Sequence, residues 1–240
     1  MSRLARGVLA ASLALALTGC ETTQEKSAAI AKRLAHQRAT VSVRRIATAS
    51  KRVKVLSAQL VHSASGTAAV LELRNTSAQA VADVPILVSV TDAAGKQIYT
   101  NATVGGTSPT GEISLIEARA TVWWVDANVL VGNATAAHVS ARVGAGTAAP
   151  AQAARIEVTG LTSGSNFIGA FIAGRAINGS AAASDLTVYA VALSAGRVLA
   201  AGQSMIPSLA ARTSSAFQLS VVGSPKGKSL SASIVPAHLG

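Results

Sequence analysis

The chain has 240 residues, with 21 Lys and Arg against 10 Asp and Glu for a formal net charge of +11, and only 3% aromatic residues. One cysteine excludes an internal disulfide, so any fold must be held by packing alone. The charge is uneven: residues 1–54 carry 11 basic residues against two acids, whereas residues 55–240 carry 10 against eight, so the basicity belongs to an N-terminal arm.

The first element is Arg3 and Arg6 followed by an apolar run from Val8 to Leu17 and then Leu17-Thr18-Gly19-Cys20. Ten apolar residues in a helix rise roughly 15 Å, about half the hydrocarbon thickness of a bilayer, which is too short for a membrane span. Residues 1–19 read as an export signal ending at a lipobox, and small Thr18 and Gly19 let a peptidase approach the backbone. An ordinary cleaved signal followed by a coincidental thiol is the alternative. The segment resembles the N-terminus of bacterial lipoproteins. That resemblance implies that Cys20 is diacylated on sulfur, becomes the first residue of the mature chain and anchors it outside the cytoplasm. Glu21, in place of Asp, points to the outer membrane in a cell with two membranes. Several acyl chains make a stable anchor where one alone binds marginally.

Residues 20–52 form a polar, Ala-rich stalk in which Lys26, Lys32, Arg33, Arg38, Arg44 and Arg45 are spread out, with a marginal helix possible over Ala28–Gln37. These cations either contact anionic lipid head groups or envelope polymers, or keep a solvated spacer extended by mutual repulsion. Nucleic acid is not expected as a partner, because the chain reads as exported and the arm lacks interleaved aromatics.

From Val53 the apolar period becomes two. Val84, Ile86, Val88 and Val90 alternate with less apolar neighbours before Asp92-Ala93-Ala94-Gly95 closes the run with turn chemistry, and His138–Val143 alternates without a fault. Such strands have one wet face, which favours antiparallel sheets. Residues 53–144 are read as a first β-sandwich, the low-complexity stretch 145–154 as a linker, and residues 155–240 as a second β-sandwich. Leu186–Ala192, poor in charge, reads as an exposed edge strand fit for strand addition by another chain.

The second unit echoes the first. Arg74-Asn75-Thr76-Ser77 is matched by Ile177-Asn178-Gly179-Ser180, Asp83–Val90 by Asp185–Ala192, and Ala94-Gly95-Lys96 by Ala195-Gly196-Arg197. Ser114-Leu115 and Ala118-Arg119 match Ser208-Leu209 and Ala211-Arg212, Trp123 falls where Phe217 lies, and Val139, Ala141 and Val143 match Leu230, Ala232 and Ile234. The second copy is shorter, with most of the deletion falling in a loop between Tyr99 and Ser114. Two units of about 90 residues with alternating short strands predict an all-β chain of two tandem immunoglobulin-like sandwiches. The run Val70–Ser77 and Val81–Lys96 also resembles the FxLYD-type domains of bacterial envelope proteins, in which a strand ending in Asn-x-Ser leads to an alternating strand closed by Asp-x-x-Gly. That resemblance implies an extracytoplasmic β-domain with no shared enzymatic activity.

No catalytic constellation stands out, and neither a metal nor a cofactor is expected. His36, His62, His138 and His238 are scattered, no nucleophile-elbow motif occurs, and Asp83, Asp92 and Asp185 occupy turn or strand-entry positions where an Asx side chain bonds nearby amides. Asn75, Asn101, Asn133 and Asn178 fit a glycosylation pattern but read as turn residues. Of Trp123 and Trp124, one packs in the core and the other points outward, either under a loop or as a platform for a sugar ring. The expected function is a non-enzymatic, lipid-anchored envelope protein that binds or scaffolds an envelope protein or polymer. The alternatives are a spacer or assembly factor acting by strand addition, and a hydrolase with scattered residues.

Overall fold

The computed structural model describes residues 46, 48–102, 111–149 and 155–237. They form an all-β structure. The first half contributes β1 (Val53–Ser63), β2 (Gly66–Asn75), β3 (Val81–Thr91), β4 (Gln97–Thr100), β5 (Glu112–Ile116), β6 (Thr121–Asp126), β7 (His138–Val143) and β8 (Thr147–Ala148). The second contributes β9 (Ile156–Ser165), β10 (Ala170–Asn178), β11 (Ser184–Ser194), β12 (Arg197–Leu209), β13 (Ser214–Ser220), β14 (Val222–Gly223) and β15 (Ser229–Pro236).

Each half folds into two facing antiparallel sheets. In the first, β1-β2-β6 opposes a sheet centred on β3, which pairs with β4 and β5 along one edge and with β7 and β8 along the other. In the second, β13-β10-β9 opposes β14-β12-β11-β15. The long β12 does alone what β4 and β5 do together, and the first half's extra residues lie between those two strands, as the sequence offset predicts.

Alternation explains β3, whose Val84, Ile86, Val88 and Val90 are buried while Asp83 is exposed. It fails for β11, where Leu186, Val188, Tyr189, Ala190, Val191 and Ala192 are all buried. Leu186, Val188, Ala190 and Ala192 pack into the second half's own core. Tyr189 and Val191 join Val198, Ala201, Val222 and Val235 in a single cluster with Leu71, Trp124 and Val88 of the first half. The sheet β14-β12-β11-β15 therefore lies against β1-β2-β6, and the described chain is a stack of four sheets whose inner two are covered on both faces.

Polar contacts fix the register between the halves. The Trp123 backbone N–H and indole Nε1 donate to the hydroxyls of Ser233 (2.7 Å) and Ser231 (3.1 Å), Val198 N–H donates to Gln59 Oε1 (2.9 Å), and the Ser114 hydroxyl donates to the Pro236 carbonyl.

This arrangement corrects two expectations. Leu186–Ala192 is not an edge: β11 is paired with β12 on one side and β15 on the other, so strand addition has no access to it. The segment read as a linker begins inside the first half's sheet, where Thr147–Ala148 pairs with β3 and a Cβ at Gly146 would lie 2.3 Å from the Ala82 carbonyl oxygen. Residues 150–154 of that segment lie outside the described residues.

A shared layer predicts shared stability. Val191→Asp should bury a carboxylate in the inter-half cluster, cost more than about 3 kcal/mol, and shift the unfolding of Trp124 in the other half to lower denaturant. A Trp124 transition that stays in place would mean that the halves unfold independently.

Candidate functional site

The described polar side chains divide into those consumed by the fold and those presented on a face. Asn75 and Asn178 belong to the first kind and are fully buried. Asn75 Nδ2 donates to the carbonyls of Gln79 (2.8 Å), Glu117 (3.0 Å) and Ile116 (3.1 Å), while its Oδ1 accepts from the Ser77 amide and hydroxyl. Asn178 repeats the pattern with Ala182 (2.9 Å), Leu209 (3.0 Å) and Ser180. Each amide thus satisfies backbone groups at a corner where chain segments leave their ladders. The matched positions agree elsewhere too: Gly95 and Gly196 have φ of 81° and 76°, and Arg119 and Arg212 have φ of 61° and 55°.

Cross-strand register changes one match by a single residue. Phe217 stands opposite Gly174 where Trp124, not Trp123, stands opposite Leu71, and both rings are buried. Trp123 points the other way and is partly buried, with its backbone N–H and indole Nε1 bonded to the second half's last strand.

Of the acids named from sequence only Asp92 bonds nearby amides; Asp185 and Asp83 accept from groups 23 and 64 residues away, and Asp83 from a hydroxyl rather than an amide. Asp92 Oδ1 accepts from the amides of Ala94 and Lys96, Asp185 Oδ1 from the Ser208 amide, and Asp83 from the Thr147 hydroxyl. Asn101 bonds the backbone of Ile86 and Val88, and Asn133 lies exposed in a turn. His62 pairs with the Thr67 hydroxyl (3.0 Å), His138 is exposed at the start of β7, and His36 and His238 lie outside the described residues. Among the described residues no group of three or more His, Cys, Asp or Glu is placed to hold a metal ion. Cys20, Lys26, Lys32, Arg33, Arg38, Arg44 and Arg45 also lie outside the described residues. The end of the arm is held: Ala49 bridges to Gly144, and the Ser50 amide donates to the Val143 carbonyl.

Sequence reasoning missed the pair of half-buried Tyr99 and buried Asp126, which ties the two sheets of the first half together. The Tyr99 hydroxyl donates to Asp126 Oδ2 at 2.5 Å, and Oδ1 accepts from the Asn128 amide.

A presented face exists on the outer sheet of the second half. Opposite Gly174 the β9–β10 register shifts, and Gly160 in the bulge takes a φ of 62°. The bulge and the two glycines open a shallow dish of about 550 Å³, rimmed by Thr159, Thr162, Arg175 and Gln218. Beneath it the Phe217 ring fills the room a side chain at Gly174 would need, since a Cβ there would lie 2.9 Å from Phe217 Cζ. Arg175 supplies the dish's one charge and donates from Nη1 to the Ser214 hydroxyl (3.0 Å). Hydroxyl, amide and guanidinium groups on an open floor can hydrogen-bond an extended polar chain. No family model matches the chain, and no curated protein compared with it is detectably similar.

Two predictions follow from the buried polar groups. Asn75→Ala and Asn178→Ala should each cost about 2–4 kcal/mol in denaturant unfolding, because the carbonyls that the amide serves lose their donor inside the protein. Asn75→Asp, equal in size but without the N–H donors, should fare no better, and a neutral result for it would show that the amide is dispensable. The second concerns alkaline pH. Burial, then the hydrogen bond to Asp126 and its charge, push the Tyr99 phenol well above its ordinary range, and burial does the same to Tyr189. The folded chain therefore holds these protons more tightly than the unfolded chain. The resulting stability is complete below about pH 10 and is lost as pH rises toward the folded-state values. These are the chain's two tyrosines, so the double variant Tyr99→Phe/Tyr189→Phe should lose less stability than the parent between about pH 9 and about pH 11. Equal losses would contradict the assignment.

Proposed function

We propose that the chain is a non-enzymatic, lipid-anchored protein of the bacterial envelope, built from two immunoglobulin-like sandwiches of the FxLYD type fused face to face. On this reading it binds an envelope polymer on its outer sheet. The dish over Gly160 and Gly174 carries the proposal: it is open, rimmed by hydrogen-bonding side chains and bears a single cation. An open floor of that kind suits a long chain passing over the surface, whereas a reacting small molecule needs enclosure. The lipobox ending at Cys20 supports the location, and the Asn75 and Asn178 corners, each followed by a serine that bonds back to the amide, are the features that support the FxLYD resemblance.

The strand-addition alternative loses the strand on which it rested, since β11 lies in the interior of its sheet. The anionic groups of an envelope glycopolymer are the natural complement of Arg175. Co-sedimentation of the full chain with isolated peptidoglycan sacculi carrying their attached anionic polymers should drop about ten-fold with Arg175→Glu, the size expected for reversing one charge-assisted hydrogen bond. Binding equal to the parent's, or no binding by the parent, would overturn the proposal.

A further inference from the structure

The end of the second half farthest from the Asn178 corner carries a feature that the polymer dish does not use. Strands β9 and β10 are joined by the tight hairpin Asn166-Phe167-Ile168-Gly169. Reciprocal backbone bonds between Asn166 and Gly169 (3.0 and 3.2 Å) close it, and Asn166 Oδ1 accepts from the amides of Ile168 (2.9 Å) and Gly169 (3.2 Å). Gly169 takes the positive φ, at 144°, so Asn166 and Gly169 supply the turn chemistry and neither tip residue is needed for it. Hairpin tips are ordinarily polar, yet here the tip holds Phe167 at 97% exposure and Ile168 at 70%, two of the most exposed large apolar side chains described.

The surroundings of the tip are basic. The Ser163 hydroxyl, near the end of β9, reaches the carbonyl of Pro225 (3.4 Å), which opens the turn Pro225-Lys226-Gly227-Lys228. The Ser224 amide bonds the Leu199 carbonyl on β12, so the exposed Arg197 at the start of that strand belongs to the same end. Residues 159–171, 193–206 and 219–231, which build this end, contain Arg197, Lys226 and Lys228 and no Asp or Glu. The second half's two acids are remote: Glu157 pairs with Ile177, beside the buried Asn178, and Asp185 caps Ser208.

An apolar wedge with three cations and no acid on the segments that build its end of the second half complements a bilayer of anionic lipid, whose acyl region takes the apolar groups while its phosphates meet the cations. A protein partner for the same tip would need an acidic rim to match the three cations, whereas the phosphates of an anionic bilayer supply that charge as a continuous surface. We infer that the Phe167–Ile168 hairpin, with Arg197, Lys226 and Lys228, is a second membrane contact that inserts into the interface of an anionic bilayer. The contact does not depend on acylation of Cys20.

The test uses the full chain reconstituted in phosphatidylcholine vesicles with and without phosphatidylglycerol, with bromine on the acyl chains. Phe167→Trp places a fluorophore at the tip, and the parent supplies the background of Trp123 and Trp124. The variant's added emission should shift to the blue and be quenched by the brominated chains, more strongly with phosphatidylglycerol. Lys226→Glu/Lys228→Glu should weaken the phosphatidylglycerol-dependent part about ten-fold or more. Added emission that is neither shifted nor quenched in either vesicle overturns the inference. So does a photocrosslinking residue at position 167 that yields protein adducts in living cells with no lipid adduct. Loss of the acyl label on substituting Cys20 reports on the anchor alone, which keeps the two readings separable.

Discussion

The constraint on which the described structure depends is the burial of one sheet on both of its faces. In β11 the even-numbered side chains from Leu186 to Ala192 serve the second half's core, while Tyr189 and Val191 serve the cluster shared with the first half. A strand so placed tolerates few polar groups, because each unpaired polar group taken from water costs several times what a good contact contributes. The flanking strands obey the same demand more loosely. On β15, Leu230, Ala232 and Ile234 face the second core, while Ser231 and Ser233 spend their hydroxyls on Trp123. Packing and hydrogen bonding thus act on opposite sides of a single strand.

Joining two small sandwiches through a shared apolar cluster has consequences for stability. With one cysteine and three phenylalanines the chain has few large groups with which to fill a core. A small β-domain buries a modest share of its surface, and stacking the halves lets each cover a face that the other would otherwise expose. The β9-β10-β13 sheet and the loops at its end lie on one outer side of the stack. There the chain departs from ordinary strand and turn rules, with a bulged Gly160 opposite Gly174 and a Phe-Ile tip where polar residues are usual.

Much of this was legible in the residues, and the misreadings share a cause. Alternation identified β3 and β7 because each has a face that meets water. The turn at Asp92–Gly95 and the Asn-x-Ser bonds at Asn75 and Asn178 were legible because they are local, whereas the long-range bonds of those amides to Ile116, Glu117 and Leu209 were not. Leu186–Ala192 was misread as an edge for its lack of charge, although an almost unbroken apolar run is the mark of a strand covered on both faces. The adjacent tryptophans were matched one place off, since sequence alone does not reveal which of two neighbours faces inward. The dish was illegible: it arises from a register shift between β9 and β10, and register is a property of paired strands. The Tyr99–Asp126 tie joins residues from two sheets and left no local pattern to read.

Hydrogen exchange measured residue by residue tests that doubly covered sheet most directly. The amides of β11 from Val188 to Ala192 and those of β2 from Val70 to Leu73 should be the slowest of the described chain. Both sets should exchange only through complete unfolding, with one common free energy and one common dependence on denaturant. If β11 opened at a lower free energy while β2 stayed protected, the halves would be separate bodies in contact, and the shared layer would not be what holds the fold.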